Sequence, residues 1–387
     1  MADRSILGPA DVDEQQLTEI VARALGEDPT DVAVTGSEAS VVPYALDAIT
    51  TAGRYWVTAR ATTPRGERSV RMFVKHVQSW ACSPFFQFVP EELKAMAVRS
   101  VPWRTEPLVY QSDLHRRLPP GLTMPVALHV AFLDETSAAI WLPALDVVQH
   151  HWDTADFVTA AYLLGRLAGS PEVAELAALG DTDGGPRTVR TYVDGRLAAQ
   201  VVPALHSDAL WQEPRVAAAY DADLRARLVR TLADVPSFVD ELEAGPTGTA
   251  HGDACPNNLL HTAGSDDLAL IDYGFFSRQC VGFDLGQLVV GDVQIGHRDA
   301  ATLPETDAAC LSAYVDGLRA EGVAVETDAV ARAHALHLMI FTGLSAPLMD
   351  PPAPDADPGA PNHEAHEAHE RAAISRFCLE LVEATSG

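Results

Sequence analysis

The sequence has few basic residues, no Cys-x-x-Cys pair and no long apolar run. Its 387 residues include 54 acidic but only 27 basic side chains, which gives a formal net charge of −27. Such a surface repels the phosphate backbone of nucleic acids and the headgroups of anionic membranes, so we expect neither as a partner. No apolar stretch approaches the ~18 residues that a membrane-spanning helix needs.

The cysteines and the N-terminus indicate the compartment. Cys82, Cys255, Cys280, Cys310 and Cys378 are odd in number and scattered, and no two form a Cys-x-x-Cys pair. This pattern argues against a disulfide framework or a zinc site, and it suits a reducing cytosol. The N-terminal stretch MADRSILGPADVDEQQ lacks the basic and apolar regions of a signal peptide. We therefore expect a cytoplasmic protein. We also expect it to be a monomer or a homodimer.

The first part of the chain is rich in strand patterns. Apolar residues at helical spacing predict a helix over 13–26, and a second helix is expected over 104–117. Strand-like segments occur at 31–35, 55–62, 69–77, 126–134 and 137–145. The turn-forming TPRGER joins two of these segments into a hairpin. Residues 1–143 thus predict a small lobe built on an antiparallel sheet.

The pattern is mainly helical from residue 144 onward. Apolar spacing predicts helices at 155–168, 222–243, 308–320, 327–343 and 366–384. A pair of short strand-like runs flanks TAGSDD (262–267), and the proline-rich PPAPDADPGAP (351–361) predicts an irregular loop. The sequence therefore predicts an α+β fold of two lobes, in which the larger and mainly helical lobe comprises residues 144–387.

The stretch HGDACPNNLL (251–260) and the following LALIDYGFF contain the polar residues most in need of an explanation. Asp272 lies in an apolar run, where a carboxylate without a partner is costly to bury. Kinase catalytic loops use the spacing Asp253-x4-Asn258, in which the aspartate accepts the proton of the attacking hydroxyl and the asparagine binds a metal. Asp272 follows a hairpin-like return, where kinases hold the Mg2+ that bridges the nucleotide phosphates. The ordered set predicts Asp253 as the catalytic base and Asn258 and Asp272 as metal ligands.

A kinase also needs a cation for the nucleotide phosphates. Lys75, in RMFVKHV, follows apolar residues as the lysine of the kinase Val-Ala-Ile-Lys strand does. A helical carboxylate should fix this lysine. Glu106 is the first candidate, and Glu91 and Glu92 are its rivals. Together with the metal ligands, Lys75 predicts a site for ATP and Mg2+.

The loop that covers the phosphates is the least distinct part of this predicted site. DAITTAGRYWV (47–57) lies between the first two predicted strands and offers Thr50, Thr51 and Gly53, but it has no Gly-x-Gly-x-x-Gly. Hydroxyl and backbone N–H groups there can reach phosphate oxygens. An ordinary hairpin turn explains the same residues nearly as well.

HGDACPNN, followed by LALIDYGFFSRQCVGFDLGQL, resembles the catalytic and metal-binding segments of the aminoglycoside phosphotransferase and choline kinase-like family. The resemblance implies a bilobal protein kinase-like fold that uses ATP and Mg2+ to phosphorylate a hydroxyl of a small molecule. It makes Asp253 the catalytic base and Asn258 and Asp272 the metal ligands. It makes Lys75 the residue that orients the α- and β-phosphates, and Asp284, in GFDLGQL, a structural residue that braces the catalytic loop.

No motif identifies the acceptor. An acidic pocket would favour an aminoglycoside or another amine-bearing molecule, whereas an apolar pocket would favour a macrolide or a lipid alcohol. An antibiotic acceptor would imply a role in antibiotic resistance. Two other functions stay open. One is a small-molecule kinase of primary metabolism that acts on a sugar or an amino alcohol, and the other is a degenerate kinase-like protein that binds without transfer.

Overall fold

Strands dominate the first part of the chain and helices the rest in the computed structural model, which describes residues 3–43, 49–181, 188–349 and 361–386. The strands are β1 (Ala33–Val41), β2 (Thr51–Thr63), β3 (Gly66–Gln78), β4 (Leu122–Thr123), β5 (His129–Phe132), β6 (Ser137–Pro143), β7 (Thr247–Ala250), β8 (Leu259–His261), β9 (Leu268–Leu270) and β10 (Ser277–Cys280). The α-helices are α1 (Glu14–Leu25), α2 (Lys94–Ser100), α3 (Thr105–Gln111), α4 (Leu114–Arg117), α5 (Thr154–Gly169), α6 (Pro171–Ala174), α7 (Val189–Tyr192), α8 (Val202–His206), α9 (Asp208–Gln212), α10 (Pro214–Ala219), α11 (Ala222–Thr231), α12 (Val235–Ala244), α13 (Phe283–Gln294), α14 (Leu303–Ala320), α15 (Thr327–Leu338) and α16 (Pro361–Ala384). Wider π-helical turns follow α7 over Val193–Val201 and α15 over Met339–Gly343.

A five-stranded antiparallel sheet forms the N-terminal part. Its strand order is β1-β2-β3-β6-β5, and the β2–β3 hairpin turns at residues 64–65, within the TPRGER segment. One apolar face of α1 packs on this sheet because its buried residues recur at helical spacing. The core between them includes Leu17, Ile20, Val21, Val57, Ala59, Met72 and Val74.

Two long helices cross at the centre of the C-terminal part. A Cβ added to Gly165 of α5 would overlap the carbonyl oxygen of Tyr314 in α14, and one added to Gly317 would overlap that of Tyr162. These glycines let the two helix backbones approach more closely than larger residues would allow. The crossing anchors the large apolar core on which the remaining helices pack.

Two small sheets hold the loop that contains the HGD motif. β7 leads into residues 251–258 and β8 leads out of them, while β9 pairs antiparallel with β8 and leads to Asp272. β10 then returns to pair with β7, with Ser277 opposite Ala250. These pairings bring the two polar stretches of the sequence side by side.

The predicted α+β fold, with a small antiparallel sheet followed by a larger helical part, is confirmed. Two predicted helices are each interrupted. The helix expected over 104–117 divides into α3 and α4, since the Ser112 hydroxyl accepts a hydrogen bond from the Leu114 N–H and ends the regular turn. The helix expected over 222–243 divides before α12, where Pro236 lies in the first turn and lacks an N–H.

The loop predicted at 351–361 falls largely outside the described residues. Among the described residues, no helix is both long and apolar enough to cross a membrane.

Candidate active site

The loop between β7 and β8 places Asp253 and Asn258 against each other. The Asn258 side-chain amide donates hydrogen bonds to the Asp253 carbonyl oxygen at 2.8 Å and to Asp253 Oδ2 at 3.1 Å. Burial, together with the nearby charge of Asp272, raises the pKa of Asp253 to about 6. The carboxylate is therefore ionised at neutral pH but is a stronger base than an exposed aspartate.

Asp284 fixes the backbone of this loop from the first turn of α13. Its two carboxylate oxygens accept hydrogen bonds from the N–H groups of His251 and Gly252, each at 2.8 Å. Gly252 has a φ of +88°, and a Cβ there would overlap the carbonyl oxygen of Phe275. The structure thus gives Asp284 the bracing contacts that the family resemblance implies.

His251 connects the loop to the strand that precedes Asp272. Its Nε2 lies 2.9 Å from the carbonyl oxygen of Ile271, so this nitrogen donates its proton to the carbonyl. Burial lowers the pKa of His251 to about 4, and the ring is neutral at physiological pH. His251 therefore holds the base and Asp272 in a fixed relation without adding charge.

Lys75 lies between two carboxylates at the junction of the sheet and the helical part. Its Nζ is 2.6 Å from Glu106 Oε2 and 3.0 Å from Asp272 Oδ1. Lys75 and Glu106 are buried, whereas the Asp272 side chain is 38% exposed. Asp272 adopts the left-handed backbone conformation, φ 61°, which turns the chain sharply after β9.

The local charges leave an excess of negative charge. Burial and the nearby Asp272 raise the pKa of Glu106 to about 7, although Lys75 acts in the opposite direction. Burial also tends to raise the pKa of Asp272, but Lys75 outweighs it and lowers that pKa. One ammonium group faces three carboxylates once Asp253 is included. A carboxylate and an amide oxygen beside such an excess form a donor set that suits Mg2+.

Arg54 is a charged neighbour that sequence reasoning missed. It lies on β2 directly opposite Lys75 on β3, and its charge helps to lower the pKa values of Glu106 and Asp272. The only signal in the sequence was its position within the expected nucleotide loop, directly after Gly53. It adds a second cation on the side of the site where we expect the nucleotide.

Part of the chain that carries this site is similar to a known protein family. Residues 155–323 match the family model described as the phosphotransferase enzyme family, APH. The matched part contains Asp253, Asn258, Asp272 and Asp284, and the resemblance stated from the sequence is confirmed. Lys75 and Glu106 lie before residue 155 and are outside the matched part.

Several solved structures resemble this chain at low identity. They include an amicoumacin kinase in complex with AMP-PNP, Ca2+ and Ami (13% identity, TM-score 0.44, covering 98% of this chain and 96% of that chain). An ethanolamine kinase from Plasmodium vivax has 11% identity and a TM-score of 0.44, covering 92% and 84%. An aminoglycoside phosphotransferase from Alicyclobacillus acidocaldarius has 14% identity and a TM-score of 0.45, covering 89% and 92%. No curated protein matches the chain.

The residues predicted for the phosphate loop lie beside the strand that carries Lys75. Thr51 begins β2 opposite Val77, and Gly53 pairs with His76 across a register shift. The Thr50 carbonyl oxygen accepts a hydrogen bond from the Gln78 N–H at 2.9 Å. Residues 44–48 lie outside the described residues. A nucleotide contact at Thr50, Thr51 and Gly53 stays a prediction.

A cavity of about 320 Å³ opens beside Asp253, between the loop at 251–258 and the helical part. Aromatic side chains form much of its wall. Tyr192 stacks on Phe341 with ring centroids 4.2 Å apart, and Phe283 meets Phe341 edge-on at 5.3 Å. Phe283 lies in the GFDLGQL segment, which did not predict a cavity wall, and Tyr192 and Phe341 belong to no motif. The cavity therefore opens directly beside Asp253, the predicted base.

Proposed function

We propose that this protein is an ATP-dependent O-phosphotransferase that moves the γ-phosphate of ATP to a hydroxyl of a small molecule. The observation that carries the proposal is the convergence of Lys75 with Glu106 and Asp272, at 2.6 Å and 3.0 Å, beside Asp253 and Asn258. These are side chains that phosphoryl transfer requires: a phosphate-binding cation, metal ligands and a base.

Each side chain has a role in this proposal. Asp253 orients the acceptor hydroxyl and accepts its proton as the new oxygen–phosphorus bond forms and the bond from the γ-phosphorus to ADP breaks. Lys75, held by Glu106, binds the α- and β-phosphates. Mg2+, when bound by Asn258 and Asp272, supplies positive charge that neutralises the phosphate oxygens. Asp284 keeps the base in position through its two backbone hydrogen bonds.

The observed cavity bears on the acceptor classes that the sequence left open. An aminoglycoside, a macrolide and a metabolic alcohol were all candidates. The aromatic wall beside Asp253 favours an acceptor with an apolar surface. The cysteines are free, which fits our proposal of a cytoplasmic enzyme.

A degenerate, non-catalytic protein is the competing function. The contacts of the predicted base and metal ligands argue against a non-catalytic protein, because Asn258 is hydrogen-bonded to Asp253 and Asp272 is ion-paired with Lys75. The phosphate loop without a Gly-x-Gly-x-x-Gly speaks for it. Saturable Mg·ATP binding with weak ATP hydrolysis would favour the enzyme, whereas binding with no hydrolysis and no transfer would favour the degenerate protein.

The experiment that tests the proposal is ADP release from Mg·ATP across a panel of aminoglycosides, macrolides, nucleoside antibiotics, amino sugars and choline-like alcohols. We expect stimulation by at least one class, and its loss in Asp253→Ala. Mg·ATP binding is measured in parallel by calorimetry. If the protein does not bind Mg·ATP, the proposal is wrong whatever the acceptor is, because the phosphate donor has no site.

A further inference from the structure

The charge of the cavity beside Asp253 is opposite to that of the whole chain. The sequence has 54 acidic and 27 basic side chains, yet Asp253 is the only carboxylate among the described residues that line this cavity. Arg99 and Arg196 line it as well. Two guanidinium groups thus line the same cavity as the predicted base, in a chain whose net charge is strongly negative.

The two arginines come from elements that meet at the cavity. Arg99 belongs to α2, and Arg196 to the π-helical turns after α7. These elements are in contact, and a Cβ added to Gly195 would lie 3.6 Å from Met96 Sδ. Among the described residues, neither guanidinium has an ion-pair partner. Both are therefore available to an anion.

The wall of the cavity adds a flat apolar surface and one unpartnered polar atom. Tyr192, Phe341 and Phe283 form the aromatic surface, and the His337 ring meets Phe283 edge-on at 5.1 Å. His337 is 3% exposed, and its Nδ1 is buried without a hydrogen-bond partner in the described part of the chain. Burial lowers the pKa of His337 to about 3, so the ring is neutral and can form a hydrogen bond without repelling either sign of charge.

We infer that the acceptor has a flat apolar body, a hydroxyl that reaches Asp253, and a carboxylate or phosphate group that pairs with Arg99 and Arg196. This inference rests on the proposed function and names the substrate class of the same site. Guanidinium groups pair with carboxylate or phosphate through two parallel hydrogen bonds. A polycationic aminoglycoside would instead meet two like charges and a single carboxylate.

The test uses four aromatic alcohols with one scaffold: 4-(2-hydroxyethyl)benzoic acid, its neutral methyl ester, 4-(2-hydroxyethyl)phenyl phosphate and the cationic 2-[4-(aminomethyl)phenyl]ethanol. ADP release and calorimetric binding to the Mg·ADP complex are measured for each. We expect kcat/KM for an anionic member to exceed that of the ester by about tenfold or more, and the amine to be the poorest. The carboxylate and phosphate arms distinguish the two anion types.

Variants connect this preference to the arginines. Arg99→Gln and Arg196→Gln should each reduce the preference for the anion about tenfold, and Arg→Lys should restore part of it. Arg319→Gln removes the same charge from an exposed position in α14 and should change nothing. Equal use of all four probes, preference for the amine, or no anion binding by a protein that binds Mg·ATP would overturn the inference while the kinase proposal stands. Failure to bind Mg·ATP would instead overturn the kinase proposal.

A second, independent observation concerns a cluster outside this site. His150 in the chain after β6, Asp156 in the first turn of α5 and His261 at the end of β8 each offer one ligand atom, and these atoms lie within 4.8 Å of one another. His150 Nε2 is 2.8 Å from Asp156 Oδ2, and His261 Nε2 is 4.0 Å from Asp156 Oδ1. Both histidines line a separate cavity of about 460 Å³.

The His261 nitrogen has no hydrogen-bond partner. Its Nε2 is buried and makes no hydrogen bond in the described part of the chain, since Asp156 Oδ1 is 4.0 Å away, although a buried ring nitrogen normally has a hydrogen-bond partner. We propose that His150, Asp156 and His261 bind Zn2+, with the fourth tetrahedral position taken by water. Two imidazole nitrogens and one carboxylate form a common zinc ligand set, and metal–ligand distances of about 2.0–2.2 Å require only a modest closing of the cluster.

Calorimetric titration of tag-free protein with ZnCl2 tests this site. All proteins carry His363→Ala, His366→Ala and His369→Ala, because the HEAHEAHE segment is a competing histidine cluster. We expect one zinc per chain, and a loss of affinity of more than about a hundredfold in His150→Ala/His261→Ala. His115→Ala, outside the cluster, is the matched control, and circular dichroism confirms folding. Equal zinc affinity in the double variant, or no micromolar binding by the parent, would overturn the proposal.

Discussion

The two sides of the Asp253 loop differ in the charge that they present. On one side the carboxylates of Glu106 and Asp272 surround Lys75, and Arg54 is a second cation nearby. The cavity on the other side is lined by Arg99 and Arg196, with Asp253 as its one carboxylate among the described residues. The net charge of −27 would suggest a cationic acceptor. The comparison teaches that the few charges lining a cavity decide which ligand it accepts, because more distant surface charges are screened by salt.

The two sides also differ in how they are held. The nucleotide side is fixed by ion pairs and by backbone hydrogen bonds of 2.6–3.0 Å, which involve Lys75, Asp284 and His251. The acceptor side is shaped by ring contacts, with centroids 4.2 Å to 5.3 Å apart. Ring packing tolerates change better than a charged hydrogen-bond network does. Substitutions should therefore affect the two sides by different amounts.

The largest effect is expected where the two sides meet. Asp253→Ala removes the base and should lower kcat by about 10²–10⁴-fold, while Mg·ATP binding is nearly retained. Steady-state ADP release and calorimetry measure the two quantities. Activity that survives this change would show that the base assignment is wrong.

Asp272→Ala should affect only the nucleotide side. It removes a metal ligand and one partner of Lys75, so metal-dependent nucleotide binding should be lost, by about a hundredfold or more in affinity. Titration of ATP with and without Mg2+ measures this loss. If the Mg·ATP affinity matches that of the parent protein, Asp272 is not a ligand, and the two sides are less separate than we propose.

Asp284→Ala should weaken both sides through the loop that they share. The N–H groups of His251 and Gly252 would be buried without acceptors, which should cost about 2–5 kcal/mol of unfolding free energy. Urea unfolding measures this cost. Asp284→Asn retains one oxygen acceptor and should lose roughly half as much. Equal stability of all three proteins would contradict the bracing role.

The smallest effect is expected on the acceptor side. Tyr192→Leu removes the ring that stacks on Phe341 but leaves an apolar side chain. The KM for an aromatic acceptor should rise about three- to tenfold, because stacking of the acceptor on this aromatic wall would contribute about 0.5–1.5 kcal/mol to binding. The KM for ATP should be unchanged. A matched aliphatic acceptor is the control. An equal rise for both acceptors would show that the ring acts only through its size.

Much of the nucleotide side could be predicted from the sequence because its residues are close in the chain. Asp253, Asn258 and Asp272 lie within one short stretch, where motif spacing fixes their relation. The choice of Glu106 over its rivals needed the structure, which pairs Lys75 with Glu106 and Lys94 with Glu91. Their roles with nucleotide and metal stay predictions.

The acceptor side could not be predicted from the sequence. Tyr192 and Arg196 are close in the chain, but Arg99 and Phe341 approach them only through tertiary packing, and none of the four belongs to a motif. The fold shows the same contrast. The strong periodicity of the apolar residues predicted α1 and α5 nearly to the residue. The breaks after Gln111 and Thr231 depend on a local hydrogen bond and on Pro236, and the spacing of apolar residues contains no information about either.

The crossing of α5 and α14 limits how this protein can be made more heat-stable. Replacing helical glycine by alanine is a common stabilising change, because it reduces the freedom of the unfolded chain. At Gly165 and Gly317 the added methyl would collide with the backbone of the opposite helix. At Gly195 it would meet Met96 at an ordinary contact distance of 3.6 Å. Consensus or library designs should therefore vary the last position and leave the first two unchanged.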